Sequence, residues 1–147
     1  MPAESRPAKP KGFGLMTRII FVHQAICLAL FLSGFRLSSA GGIEDLVAHR
    51  LLGIVVSLAI VLAIYGVANR KSPKALSWLR VFLWIGVVKI LVVQLWLLAQ
   101  GDIGLTSYAR AMLLNELVAI PVAVYWSRPV HARYLSSLGH AAGSSVA

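Results

Sequence analysis

Two oppositely charged residues inside long apolar runs are the features of this sequence best suited to chemistry. Lys89 and Glu116 both lie within stretches long enough to cross a membrane. A charge near the centre of a bilayer costs about 2.5–3.5 kcal/mol on insertion scales, so each side chain needs a partner. Consecutive helices are expected to be antiparallel neighbours, so we predict that the two residues form an intramembrane polar pair. Gln94 and Asn115 fall at similar depth and are expected to extend the pair into a network.

Two roles for this pair stay open from the sequence. Lys89 and Glu116 could line a pathway or a site for a proton, an ion or an amphipathic ligand, with Glu116 as the proton carrier. They could instead pin two helices in register or contact a partner subunit. Their opposite charges on adjacent helices favour the structural role, whereas intramembrane ionisable residues by default indicate a functional one.

A second polar group lies in the first apolar run. His23, Gln24 and Arg18 are expected near its inner end and form a candidate site on the inner side of the membrane. A transmembrane haem b needs two histidines that face each other at similar depth. The predicted topology places His23 and His49 on opposite sides of the membrane, so we predict no cofactor and keep haem b or a quinone near His23 as an alternative.

The sequence does not predict a metal site. Cys27 is the only cysteine, so the chain can form neither an internal disulfide nor a cysteine-based metal centre. No pair of histidines has the spacing of zinc ligands on one helix. No phosphate-binding loop, dinucleotide fingerprint or Ser/His/Asp arrangement is present, which makes an enzyme the less favoured class.

The composition indicates which solvent surrounds the protein. Of 147 residues, 59% are hydrophobic and 13% are charged, whereas soluble domains carry about 25% charged residues. The mean hydropathy of +0.80 and this shortage of charge exclude a soluble enzyme and extensive disorder. The net charge of +9 would indicate nucleic-acid binding in a soluble protein. Here the bases flank apolar runs, so we predict a lipid bilayer as partner and no nucleic acid.

The apolar runs predict the fold class. About 20 apolar residues in a helix cross the hydrocarbon core of a bilayer, and only helices and closed barrels satisfy backbone polar groups there. The runs show no alternation typical of barrel strands. We therefore predict an all-α integral membrane bundle of four transmembrane helices in a single domain over 1–147. The spans are expected at about 19–35, 51–68, 79–99 and 109–126, between a disordered basic tail (1–15) and a cytoplasmic tail (127–147).

The distribution of bases predicts the orientation. Ten bases lie in the two tails and the middle connection: Arg6, Lys9, Lys11, Arg18, Arg70, Lys71, Lys74, Arg80, Arg128 and Arg133. The other two connections hold only Arg36, Arg50 and Arg110. The positive-inside rule places both termini in the cytoplasm, so we predict a multi-pass protein of a bacterial-type inner membrane. A competing interpretation makes the first run a signal peptide cleaved after Ser38-Ser39-Ala40, although Arg36 and the length of the run count against it.

Small residues at four-residue spacing predict where helices approach each other closely. In lipid, such spacing allows close backbone contact. The predicted packing face comprises Ala25, Ala29 and Ser33 on the first helix and Gly53 and Ser57 on the second. The second helix is expected to use its small residues inside the bundle, and the first helix to present its own to a partner.

Three functional hypotheses follow. The first is an accessory or assembly subunit of a larger membrane complex, because the chain is small and has no predicted soluble domain. The second is a small proton-coupled transporter or channel that acts as a homo-oligomer, since four helices rarely enclose a pathway alone. The third is a membrane redox protein or lipid-linked enzyme that holds haem or quinone near His23.

The predicted orientation can be tested by cysteine labelling. With Cys27 replaced by serine, Ser72→Cys should resist an impermeant thiol reagent added to intact cells and react once the membrane is opened. Ser39→Cys, on the opposite side, should react in intact cells and is the matched control. Labelling of Ser72→Cys from outside would contradict the predicted topology.

Overall fold

The computed structural model describes residues 8–32, 43–99 and 107–143. Across these ranges every regular element is a helix. The helices are α1 (Phe13–Leu32), α2 (Ile43–Ala68), α3 (Pro73–Ala99), α4 (Ser107–Ser127) and α5 (Pro129–Gly143). The predicted all-α bundle is thus confirmed at the level of helices.

Three of these helices are long and apolar enough to cross a membrane. The qualifying stretches are Phe13–Leu32, Leu51–Ala68 and Pro73–Val92, with mean hydropathies of 1.9, 2.7 and 1.9. Many of their large apolar side chains face outward, including Leu62 and Leu95 at 71% and 65% exposure. A soluble bundle would bury such residues, so the structure describes a helical membrane protein. A crossing by α4, and the orientation of the bundle, stay predictions.

Each long helix packs against the next one along the chain. α2 and α3 lie between their neighbours, α1 also touches α4, and α5 packs on α3. The buried core runs between these helices and includes Ile20, Ile64, Leu79 and Val87. Because successive helices reverse direction, the start of α1, the α2–α3 connection, the end of α4 and α5 meet at one end of the bundle. We call this the basic end, since nine of the ten bases grouped above lie on the described parts of these segments.

The α2–α3 connection is a short turn with a defined stop and start. Lys71 has a φ of 52°, in the left-handed region that commonly terminates helices, and its ammonium donates to the carbonyl of Ala68 at the end of α2. The Ser72 hydroxyl accepts a hydrogen bond from the backbone N–H of Ala75 at 3.3 Å. Pro73 occupies the first helical position, where no N–H is needed. The sequence Ser72-Pro73 therefore starts α3 as its residue types predict.

The end of α4 is held by side chains of α3. Arg80 donates through Nε to the carbonyl of Trp126 at 2.9 Å and through Nη2 to that of Arg128 at 3.0 Å. These carbonyls lie at a helix C-terminus, where a cation also interacts favourably with the helix dipole. The indole of Trp84 donates to the Ser127 hydroxyl at 3.0 Å. Arg80 on α3 thus caps the end of α4 at the basic end.

Helix α5 closes the basic end through a cluster of rings. His131 and Leu135, one turn apart, are fully buried, as is Trp126. The Phe13 ring packs edge-on against Trp126 with centroids 5.1 Å apart, and the His131 ring lies 5.0 Å from Trp126. Phe13 belongs to the segment 1–15 that the sequence assigns to a disordered tail, yet it begins α1 with 3% of its surface exposed. Within the segment assigned to the C-terminal tail, α5 extends to Gly143.

His131 should make stability depend on pH. Burial lowers the pKa of His131, and the nearby carbonyl of Tyr125 raises it by less. The Arg80 and Arg128 guanidiniums lower this pKa further. The unfolded chain therefore binds a proton at higher pH than the folded one. The free energy of unfolding is therefore not reduced by His131 above about pH 6.5, and it decreases as the pH falls below that value. Thermal unfolding of the purified protein between pH 8 and pH 5.5 should show this loss, and His131→Phe should reduce it. Equal pH dependence in both proteins would contradict the assignment.

Candidate mid-membrane polar site

A hydrogen-bonded cluster joins α1 and α4 within the bundle. His23 on α1 lies 2.6 Å from Asn115 on α4, measured from Nε2 to Oδ1. The other ring nitrogen, Nδ1, lies 3.1 Å from Nε2 of Gln24, which is buried. An amide carbonyl only accepts and an amide NH₂ only donates. This pattern assigns a neutral imidazole that donates through Nε2–H to Asn115 and accepts at Nδ1 from Gln24.

Cys27 adds a thiol to the same cluster. It stands one helical turn after His23, and its Sγ donates to Oδ1 of Asn115 at 3.7 Å. The same sulfur lies 3.9 Å from Nε2 of His23. Asn115 therefore accepts from two α1 side chains with one oxygen. We call His23, Gln24, Cys27 and Asn115 the polar cluster.

The polar cluster lies near the middle of α1, not at its inner end. Since α1 begins at Phe13, His23 is ten residues along the helix, about 15 Å from its start at 1.5 Å per residue. Asn115 is twelve residues before the end of α4, about 18 Å from the same end of the bundle. The span predicted from the sequence began at residue 19, so His23 was placed too near the membrane surface. Arg18, the third residue of the predicted inner-side site, is exposed and lies five residues before His23.

Glu116 follows the polar cluster on α4 and is buried, with 6% of its surface exposed. Neither carboxyl oxygen has a hydrogen-bond partner within the described part of the chain. It lies one turn from Ala119 and two from Ala123, and the latter is fully buried on the same helix face. The structure thus places a carboxyl group among packed helices without a described side chain to neutralise it.

Lys89 has different surroundings from Glu116. Its ammonium lies 5.1 Å from the centre of the Phe31 ring on α1, a distance typical of a cation–π contact. Within the described residues no hydrogen bond joins Lys89 to Glu116, so their pairing stays a prediction. α3 begins at Pro73, which puts Lys89 about 24 Å from the basic end. By the same measure Glu116 lies about 17 Å from that end, more than one helical turn short of Lys89.

The position of the Phe31 ring, which contacts Lys89, requires a glycine on α2. A Cβ added to Gly53 on α2 would lie only 2.4 Å from the ring, so only glycine lets the ring come this close. Gly53 and Ser57, both buried, therefore lie inside the bundle. Ala25 and Ala29 on α1 are exposed instead. Ser33, the side chain of Gln94 and that of His49 lie outside the described residues.

The described residues offer little for a metal or haem. No group of three or more His, Cys, Asp or Glu side chains capable of holding a metal ion occurs among them. Both ring nitrogens of His23 are already engaged by Asn115 and Gln24, so axial ligation of iron would break one of these bonds. His131 lies at the basic end, in the ring cluster of α5.

The sequence divided three members of the polar cluster between two predicted sites. Asn115 was grouped with Lys89, His23 and Gln24 were grouped with Arg18, and Cys27 was assigned to neither site. The signal that could have joined them is the similar distance of His23 and Asn115 from the basic end. That signal was hidden because α1 begins within a segment rich in proline and glycine.

Comparisons with known protein families, with characterised proteins and with solved structures find no match for the chain.

The polar cluster should contribute to the stability of the bundle through Asn115. Asn115→Ala removes the acceptor for His23 and Cys27, at a cost of about 1 kcal/mol, typical of interhelical hydrogen bonds in membranes. Leu114→Ala is the matched control, because Leu114 is the preceding residue and is 64% exposed. Thermal unfolding in detergent measures both. A larger loss for Leu114→Ala than for Asn115→Ala would contradict the structural role of the cluster.

Proposed function

We propose that this protein is an accessory or assembly subunit of a larger complex in a bacterial-type inner membrane, with four spans and both termini in the cytoplasm. The observation that supports this function is the position of Lys89. Its side chain is half-buried on a helix long and apolar enough to span the membrane. In the described structure its ammonium contacts an aromatic ring and not a carboxylate.

A cation–π contact offsets only part of the cost of such a charge. It is worth about 0.5–2 kcal/mol, whereas charged side chains within membrane helices usually pair with an opposite charge or with backbone carbonyls. Since Lys89 is not fully enclosed by its own bundle, a group from outside can reach it. The chemistry that completes this site is a carboxylate on a transmembrane helix of a partner subunit.

The outer face of α1 offers a second surface for such a partner. Ala25 and Ala29 are exposed one turn apart, and they present no long side chain to be displaced when another helix approaches. The first surface is Lys89 on α3, whose ammonium contacts the Phe31 ring of α1. A partner that contacts both surfaces would gain close packing from α1 and an ion pair from α3.

Lys89→Gln should release the partner while the bundle remains folded. The test is purification of the tagged protein from its native membranes in a mild detergent, with the stoichiometry of co-purifying subunits measured. Lys74→Gln is the matched control, because Lys74 lies on the same helix and is exposed at the basic end. Lys89→Arg should retain the partner because it keeps the charge, and Ala29→Leu should loosen it. Retention of every subunit by both Lys89→Gln and Ala29→Leu would contradict the proposal.

Proton-coupled transport is a second candidate, and the burial of Glu116 favours it. A buried carboxyl without a described partner is expected to be neutral, and a group that gains and loses a proton within the membrane can couple proton movement to transport. Under this function Glu116→Gln stops a proton flux into proteoliposomes and leaves all associations intact. Glu116→Asp, which keeps the carboxyl, should retain part of the flux. A subunit role predicts instead that neither substitution alters any flux through the isolated protein.

A further inference from the structure

The basic end combines many cations with an absence of acidic residues. The sequence has no Asp or Glu over 5–43, 46–101 and 117–147, the segments that supply this end. Four of its bases, Lys9, Lys71, Arg80 and Arg128, contact aromatic rings or backbone carbonyls. A concentration of like charges without counter-charges is unfavourable unless an anion from outside compensates it.

Two of these cations converge on one aromatic ring. The ammonium of Lys9 lies 5.1 Å from the centre of the Phe13 ring, and that of Lys71 lies 5.6 Å from the same point. The two nitrogens are therefore separated by no more than the sum of these distances. Lys71 uses one donor on the carbonyl of Ala68, which leaves two of its three donors. Phe13 itself is buried against Trp126, so the ring fixes where the two ammonium groups lie.

A third cation lies over another ring of the same cluster. The Arg128 guanidinium lies 5.9 Å from the centre of the Tyr125 ring, and Tyr125 packs edge-on against Trp126. The Tyr125 hydroxyl donates to the carbonyl of Lys11 at 2.9 Å. This hydrogen bond ties the segment that carries Lys9 to the end of α4. The three cations thus belong to one packed unit built from four segments of the chain.

We propose that Lys9, Lys71 and Arg128 form a binding site for the phosphate of an anionic phospholipid headgroup. A phosphodiester has two non-bridging oxygens that share one negative charge and can accept from two ammonium groups at once, and an arginine adds a forked donor. A headgroup that itself carries a cation brings its own counter-charge. The site should therefore prefer phosphatidylglycerol to phosphatidylcholine.

The position of the site favours a lipid over a free phosphate ion. The three cations lie where α1 and α3 begin and α4 ends. If these helices cross the membrane, this end of the bundle lies at the level of the headgroups. α5 lies beside them with Val130 exposed between the exposed Arg128 and Arg133. Apolar and basic side chains in alternation are typical of helices that lie in the headgroup layer. Headgroup phosphates lie at both surfaces of a membrane, so the site can bind lipid whichever side the basic end faces.

The test is thermal unfolding of the full chain in an uncharged detergent during titration with phosphatidylglycerol, phosphatidylcholine or sodium phosphate at constant ionic strength. Phosphatidylglycerol should raise the unfolding temperature more than the other two. A base next to an acidic headgroup contributes about fivefold to lipid binding, and this contribution falls with distance from the lipid. K9Q/K71Q removes two bases of the proposed site and should therefore weaken phosphatidylglycerol binding by about 25-fold.

The matched control is R70Q/K74Q. It removes the same number of charges from two exposed positions beside Lys71, and it should weaken binding clearly less than K9Q/K71Q does. Because Lys71 also caps α2, K9Q alone is the second variant, and it should weaken binding about fivefold without altering helical content by circular dichroism. Equal weakening by the two double variants would overturn the proposal in favour of diffuse attraction. Equal stabilisation by sodium phosphate would overturn the choice of a lipid.

Discussion

The organisation of this bundle depends on the absence of water around its helices. A polar side chain in hydrocarbon must find its hydrogen bonds inside the protein or bear a cost of several kcal/mol. His23, Gln24, Cys27 and Asn115 meet this requirement together, with donors and acceptors that match without a net charge. Arg80 meets it differently, by reaching the open carbonyls at the end of α4. The two solutions hold α4 at its middle and at its end, to α1 and to α3 respectively.

At the basic end the unfavourable feature is different, because many positive charges lie close together there. Aromatic rings supply a surface over which Lys9, Lys71 and Arg128 can lie without losing access to water. The same rings bury His131 and Trp126 and seat α5 on the bundle. The packing of this end therefore serves two purposes at once. It closes the core against solvent and positions the cations of the proposed phosphate site.

The sequence predicted the helices better than it predicted which polar residues meet. Hydropathy alone identified the long runs, because a membrane helix needs apolar residues on every face and few other structures do. It could not locate where each helix begins. Phe13 and Pro73 start α1 and α3 six residues before the predicted spans, because polar residues in these first turns, such as Arg18 and Lys74, lower the local hydropathy. Six residues amount to more than one and a half turns. That error suffices to move His23 from mid-helix to an apparent surface position and to place Lys89 level with Glu116.

Helix packing explains why Asn115 is polar, but it does not explain why Glu116 is. Asn115 already links α4 to α1 through two hydrogen bonds, so joining these helices does not require a second polar residue at the next position. Within the described residues the Glu116 carboxyl adds no hydrogen bond of its own. An apolar side chain of similar size would fill the same volume without the cost of burying a polar group. Stability of the isolated bundle therefore does not account for this carboxyl. Under the two proposed functions, either the carboxyl exchanges a proton or a group of the assembled complex reaches it, and the proposed experiments decide between these functions.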